Sequence, residues 1–250
     1  MQDAMESQAP EQVVISQNPD GYRYSVEPFL LAHWVRPAEG SRILDIGTGC
    51  GVIPLLLMSR QPNLEITAVE IQNSLYQKAL DNVKSNGWAD RIRILERDFR
   101  SMTGEWEPET FDWILSNPPY RKVNSGKLNP CREKAIARHE LSLTLETLVA
   151  TSAPLLKPGG KIALAYPYHR LDEVMGQLRG VQLHPTRFVR VFGHEQVAPK
   201  ICLIEAVKGE TPQAALEETL TIYHTDGSYT KTMQDIYASF NYPERSHRLR

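Results

Sequence analysis

Several features that would place a chain in a specialised class are missing from these 250 residues. There are three cysteines, Cys50, Cys131 and Cys202, far apart and without a C-x-x-C pair. That usage argues against a disulfide-stapled scaffold or a zinc knuckle and fits a reducing compartment. The longest hydrophobic run, Val52 to Met58, falls far short of the roughly 18 apolar residues that a membrane span requires. The first ten residues are polar and acidic rather than basic and then apolar, so a soluble cytoplasmic protein is expected, without a secretory signal. No excess of one charge is present either. The net charge of −2 supplies no global attraction to a polyanion, and any basic surface has to be local. The seven histidines are scattered and none pairs with acids or cysteines at metal-ligand spacing, so no metal is expected.

What is present is an ordinary globular composition, 41% hydrophobic and 23% charged, with a regular alternation of strand and helix. Short apolar runs at 42–46, 64–70, 91–95, 111–116 and 161–166 read as strands. The stretches after most of them read as helices, and an apolar helix at about 27–35 precedes the first strand. Five such alternations predict a doubly wound, mostly parallel α/β sheet. At 186–191 and 200–207 the rhythm changes to two β-rich runs with no helix between them, which predicts a closing antiparallel pair. A further strand near 220–223 and a short helix at 230–238 are weaker signals. The expected division is a flexible segment 1–20, a catalytic domain 21–208 and a C-terminal extension 209–250.

Four strand ends carry the chemistry. After Asp45-Ile46 comes Gly47-Thr48-Gly49-Cys50-Gly51, a turn with glycine spacing G-x-G-x-G. The dinucleotide fingerprint is G-x-G-x-x-G, which seats a pyrophosphate on a helix N-terminus. Here an acid stands immediately before the turn. A carboxylate is a poor host for pyrophosphate and a good one for a cationic sulfonium and its amino group, which favours S-adenosylmethionine over NAD. Glu70 closes the second strand, where a carboxylate can accept both hydroxyls of a ribose. Asp98 follows the third, with Phe99 beside it. At the fourth strand, Phe111 to Ser116 stops abruptly in Asn117-Pro118-Pro119-Tyr120. Neither proline has an N–H to donate, so the backbone forms a stiff, extended hook carrying one amide and one phenol.

These residues resemble those of class I S-adenosylmethionine-dependent methyltransferases over roughly 21–207. The resemblance implies a Rossmann-like sheet of seven strands with the last pair antiparallel. It also implies a cofactor site in which Asp45, Gly47, Thr48, Gly49 and Gly51 cradle the methionine part, Glu70 holds the ribose, and Asp98 and Phe99 meet the adenine. Asn-Pro-Pro-Tyr resembles the motif of amino-methyltransferases that act on adenine N6, guanine N2 or a glutamine side chain. On that resemblance Asn117, Pro118, Pro119 and Tyr120 are the catalytic candidates, with Asn117 also reaching the cofactor. The segment Gly21 to Val26 with Phe29 to Ala32 is similar to one in bacterial tRNA(Val) adenine-N6 methyltransferases, where it implies that Tyr22, Arg23 and Ser25 lie over the cofactor.

The stretch after the hook holds Arg121, Lys122, Lys127, Arg132, Lys134 and Arg138 against the single acid Glu133. A loop this basic beside the target pocket suits a phosphate backbone, and tRNA is the expected partner. Arg187 and Arg190 could extend the patch. A protein-glutamine methyltransferase is the main rival, although about forty residues before the first strand are too few for an independent partner-binding bundle. A guanine-N2 rRNA enzyme is the second rival. Oligomeric state is open.

Overall fold

The computed structural model describes residues 12–17, 25–102, 104–118, 143–195, 197–209 and 214–242. Eight strands run through the described residues: β1 (Arg42–Ile46), β2 (Glu65–Glu70), β3 (Ile92–Glu96), β4 (Phe111–Ser116), β5 (Leu156–Pro167), β6 (Leu183–Phe192), β7 (Ile201–Lys208) and β8 (Leu216–Thr221). They form one sheet in the order β3-β2-β1-β4-β5-β7-β6-β8. β1 to β5 are mutually parallel, β7 is antiparallel to both β5 and β6, and β8 lies parallel to β6 at the edge. The expected doubly wound sheet and closing antiparallel pair are therefore present. The expected count of seven is corrected to eight, because the C-terminal extension adds its own strand. Leu-Glu-Glu-Thr-Leu-Thr is mostly polar and its residues are partly or fully exposed, so it lacks the apolar pattern that betrays the other strands.

Among the described residues six α-helices accompany the sheet: α1 (Glu27–Trp34), α2 (Val52–Arg60), α3 (Asn73–Ser85), α4 (Leu145–Ser152), α5 (Leu171–Gly180) and α6 (Lys231–Ala238). Alternate residues of the central strands point into opposite layers. Ile43, Ile66 and Trp113 meet α1, α2 and α3 on one face, while Leu44, Val69 and Ile114 meet α4 and α5 on the other. Burial on both faces explains why these strands read as continuous apolar runs.

α1 has no polar face. Phe29, Leu30, Leu31 and Ala32 are all buried, which requires a cover on every side. The extension supplies one: Phe29 meets the rings of Tyr237 and Tyr242, each at 4.9 Å, and Phe240 at 6.1 Å. An N-terminal strap supplies another part of the same layer. Residues 12–17, expected to belong to a flexible segment, are docked, with Val13 and Ile15 buried. Asn82 and Asn86, one helical turn apart on α3, act as a substitute strand. Their Oδ1 atoms accept from the Ser16 and Val14 amides at 2.9 and 3.0 Å, and their Nδ2 atoms donate to the Ser16 and Val14 carbonyls at 3.0 and 2.7 Å. The backbone groups of Val14 and Ser16 are thereby satisfied without a sheet partner.

Lys157-Pro158-Gly159-Gly160 lies inside β5, where the register with β4 shifts between Phe111 and Trp113. Gly160 is required there. A Cβ would stand 2.8 Å from the Lys157 carbonyl oxygen and 3.1 Å from that of Phe111.

Candidate active site

The chain order reverses between β1 and β4, the crevice where parallel α/β sheets bind ligands. Register brings the strand ends level: Ile46 stands opposite both Val69 and Ser116, and Glu70 opposite Glu96. The Ser116 hydroxyl, fully buried, donates to the Ile46 carbonyl at 2.8 Å and ties the two central ends together. Over them opens a cleft, in the place where parallel α/β sheets bind small-molecule ligands. Ile46, Gly47 and Gly49 form its floor; Glu70, Ile71, Gln72 and Leu75 one wall; Arg97 to Arg100 another; and Asn117, Pro118 and Leu143 the far side.

The glycine turn is held by β2. The Gly47 and Thr48 amides donate to the Val69 carbonyl at 2.9 and 3.0 Å, and the Gly49 amide donates to Glu70 Oε2 at 2.9 Å. Three consecutive turn amides are therefore occupied, and the turn offers no nest of free N–H groups for a pyrophosphate. Gly49 has φ 60° and Gly51, which caps α2, has φ 82°. These left-handed conformations favour glycine.

Asp45 lies beneath this turn, 1% exposed and not in the cleft wall itself, and neither carboxylate oxygen has a hydrogen-bond partner. Burial pushes its pKa up to about 7, the neighbouring Thr48 hydroxyl pulls the other way, and the nearby Glu70 charge adds to the rise. The Thr48 hydroxyl is likewise buried, near the carboxylate but outside hydrogen-bond geometry. Glu70 is also buried. Besides the Gly49 bond, its Oε1 accepts from the Gln72 amide at 2.9 Å. Burial raises its pKa against the pull of those backbone bonds. Each oxygen keeps a lone pair for a further donor.

Asp98 lines the cleft, but its carboxylate is already engaged. It accepts from the Arg100 backbone amide at 2.9 Å and forms a forked pair with the guanidinium, closest at 2.6 Å. These bonds, led by the one to the Arg100 side chain, lower its pKa. Phe99 lies behind it, 4% exposed and embedded in the core, while reaching the cleft wall.

The structure thus brings Gly47, Gly49, Glu70, Asp98, Phe99, Asn117 and Pro118 to one cleft. Asp45, Thr48 and Gly51 sit just below or behind the turn, and Ser25 is exposed and outside the cleft wall. Tyr22, Arg23, Pro119, Tyr120, Arg121, Lys122, Lys127, Arg132, Lys134 and Arg138 lie outside the described residues. Ile71, Gln72, Leu75, Arg97, Arg100 and Leu143 also line the cleft and were missed. Four of these directly follow or flank the strand-end acids, so reading the neighbours of Glu70 and Asp98 would have found them.

Arg187 and Arg190 are not an extension of a basic patch. Arg187 donates to the buried Glu205 (Nη2 to Oε2, 2.6 Å) and to the Trp34 carbonyl at 3.1 Å, and it stacks on the Trp34 ring at 4.2 Å. Arg190 pairs with Glu217 on β8. Both cations serve the fold.

This fold and cleft define a methyltransferase of the class I type, and the comparisons with known proteins agree. The chain belongs to the methyltransferase small domain family, whose model matches residues 27–182. It is 37% identical over 176 residues to the tRNA1(Val) (adenine(37)-N6)-methyltransferase of Bacteroides thetaiotaomicron, covering 70% of this chain and 72% of that one. The Porphyromonas gingivalis enzyme of the same name is 33% identical over 233 residues, 88% and 89% of the two chains. Among solved structures, a predicted O-methyltransferase from Agrobacterium tumefaciens superposes with a TM-score of 0.67 at 20% identity, over 88% of this chain and 99% of that one. A methyltransferase from Pyrococcus furiosus gives 0.57 at 21% identity, over 78% and 89%. At these identities the structural likeness speaks to the fold alone. S-adenosylmethionine is accordingly the cofactor of this chain's family. Among the described residues no helix is long and apolar enough to cross a membrane, and no group of side chains could hold a metal ion.

Proposed function

We propose that this protein is an S-adenosylmethionine-dependent methyltransferase of the exocyclic N6 amine of an adenine in tRNA, near the anticodon, acting in the cytoplasm. The observation that carries the reading is the placement of Asn117 and Pro118 at the end of β4, in the same cleft as the glycine turn and Glu70. The names of the similar tRNA1(Val) enzymes supply the substrate.

The cleft fits the cofactor. The orphaned carboxylate of Asp45 suits a cationic amino group, and Glu70 has lone pairs left for ribose hydroxyls. Gly47 and Gly49 present a surface without side chains for the methionine part. Asp98, being committed to Arg100, presents its remaining lone pairs and the adjoining backbone to an adenine. When bound, S-adenosylmethionine supplies an electrophilic methyl group.

The chain's own residues hold the acceptor. The nitrogen lone pair of an exocyclic amine is delocalised into its ring, so the amine is a weak nucleophile. The Asn117 side-chain oxygen and the Pro118 carbonyl accept its two N–H bonds, orient the nitrogen and favour tetrahedral geometry. No strong base is needed, because the proton leaves after the nitrogen has become cationic. Positioning and preorganised dipoles carry the acceleration. Tyr120 would stack on the base, and the 121–138 cations would meet the phosphates; both lie outside the described residues.

The test of the acceptor is Asn117→Ala. It should lower the methylation rate constant by roughly 10²–10³-fold, the scale for losing a polar group aimed at a transition state. Cofactor affinity measured by calorimetry should stay close to wild type. Equal loss of both would make Asn117 a scaffold residue.

A further inference from the structure

The C-terminal extension places an aromatic stack on the same edge of the sheet as Asn117. β5 runs parallel to β4 and ends at Pro167, opposite Ile201, the first residue of β7. Ile201 also faces Val191 near the end of β6, and Phe192 faces Thr221 at the end of β8. The β6–β7 turn and the residues after β8 therefore lie at the carboxyl edge of the parallel strands. With about 4.8 Å between strands, β6 and β8 stand about 14 and 19 Å along that edge from β4.

On this rim the ring of Tyr223 stacks on Tyr229 at 5.1 Å and 20°, and His194 leans on Tyr223 at 5.6 Å and 36°. All three are partly exposed. The stack is rigid. The Tyr223 amide donates to the Gly193 carbonyl at 2.9 Å, Tyr237 Oη donates to Tyr229 Oη at 3.4 Å, and His194 Nδ1 lies 3.0 Å from the His224 carbonyl. A carbonyl only accepts, so the His194 proton is on Nδ1 and the ring's orientation is set. Tyr223 and Tyr229 border the hydrophobic layer that covers α1, and among the described residues Tyr223 is the ring that packs on His194. The surrounding charge is mixed: Lys200 is exposed with no carboxylate partner among the described residues, and Glu195 and Asp226 are exposed as well.

We propose that His194, Tyr223 and Tyr229 form a stacking platform for an unpaired base of the substrate RNA, a second anchor beside the methylation cleft. This rests on the RNA reading above. The ligand class follows from the surface. A hydrogen-bonded aromatic stack ending in a partly exposed ring suits a planar base, and a surround of one cation and two acids gives a phosphate backbone no pull of its own. Its position on the catalytic edge, a few strand widths from Asn117, lets one RNA loop reach both.

The test titrates a labelled valine tRNA transcript against wild type, His194→Ala and His194→Phe at several salt concentrations. Cofactor affinity and melting temperature are measured alongside. His194→Ala should weaken tRNA binding roughly five- to hundredfold, the range for loss of one base–aromatic stack, without changing the slope of log affinity against log salt. His194→Phe should restore binding, and cofactor affinity should be unchanged in both. Tyr223→Ala, compared at temperatures below its own melting point, should show the same loss. Wild-type affinity in His194→Ala overturns the platform, as does an equal loss in His194→Phe. A change of oligomeric state in place of RNA affinity would make the surface a contact between copies. If the wild-type protein binds tRNA and methylates its adenine while these variants bind equally well, only the platform falls. If it binds no tRNA, the functional reading falls with it.

Discussion

At the residue scale, the proposed chemistry rests on two side chains that behave differently. In the proposed reaction Asn117 acts on the acceptor, and its removal should spare cofactor binding. Asp45 is proposed to act from beneath the cofactor, and its buried carboxyl would make that contribution depend on pH. Its native pKa of about 7 stands above the ordinary 3.8. Between those values the folded protein holds a proton that the unfolded chain has released. This residue's share of stability therefore falls as pH rises through that window and levels off above about 7. A cationic ligand needs the ionised form, so cofactor affinity should rise with pH over the same interval, approaching tenfold per unit well below pH 7. Calorimetry at pH 5.5 and 8 checks this, and Asp45→Asn should weaken binding and flatten the trend. An affinity that is equal at both values in the wild-type protein would remove Asp45 from the cofactor's charge pairing.

At the element scale, the strap and the buried ion cluster carry measurable stability. Asn82 accepts from the Ser16 amide and donates to the carbonyls of Ser16 and of Cys50 in the glycine turn, the latter at 2.9 Å. Asn82→Ala leaves these groups unpaired and should cost roughly 1–3 kcal/mol in denaturant unfolding, the scale for one buried group left without a partner, since only the Cys50 bond is fully buried. A cost near zero would mean that the strap detaches freely. Glu205, 2% exposed, is held by Arg187 and by Lys161 at 3.0 Å. Burial would raise its pKa, but these two cations bring it below the ordinary value. Its stabilisation is thus present above the unfolded pKa and lost as pH falls through the folded one. Glu205→Ala should destabilise by about 1–3 kcal/mol, because it removes the shared acceptor of two partly exposed cations.

These elements also mark where the sequence is informative. The five parallel strands, the antiparallel pair and the strand-end acids declare themselves through apolar runs ending in glycine or a charge. The strap and β8 do not. Asn82 and Asn86 look like ordinary helix-surface residues until a backbone 66–72 residues away docks on them. β8 is a polar edge strand whose pairing partner cannot be read locally. Arg187 and Arg190 look like surface cations because their acids, Glu205 and Glu217, are distant in sequence. Charge partners set by tertiary structure leave no local pattern.

At the scale of the whole molecule, a chain with a net charge of −2 has to bind a polyanion locally. With Arg187 and Arg190 paired to Glu205 and Glu217, the proposed contact with RNA phosphates rests on the cations at 121–138. Charge reversal at Lys122 and Arg132 together should weaken tRNA binding and reduce the salt slope by about two, one for each lost phosphate contact. An unchanged slope would separate the loop from the RNA. The central claim is about what receives the methyl group. The most direct measurement incubates the protein with labelled S-adenosylmethionine and separated tRNA, rRNA and protein fractions, followed by nucleoside and amino-acid analysis. The account predicts label in tRNA as N6-methyladenosine, lost in Asn117→Ala. Label in a protein glutamine or in guanine N2 of rRNA, with tRNA unmodified, would contradict it.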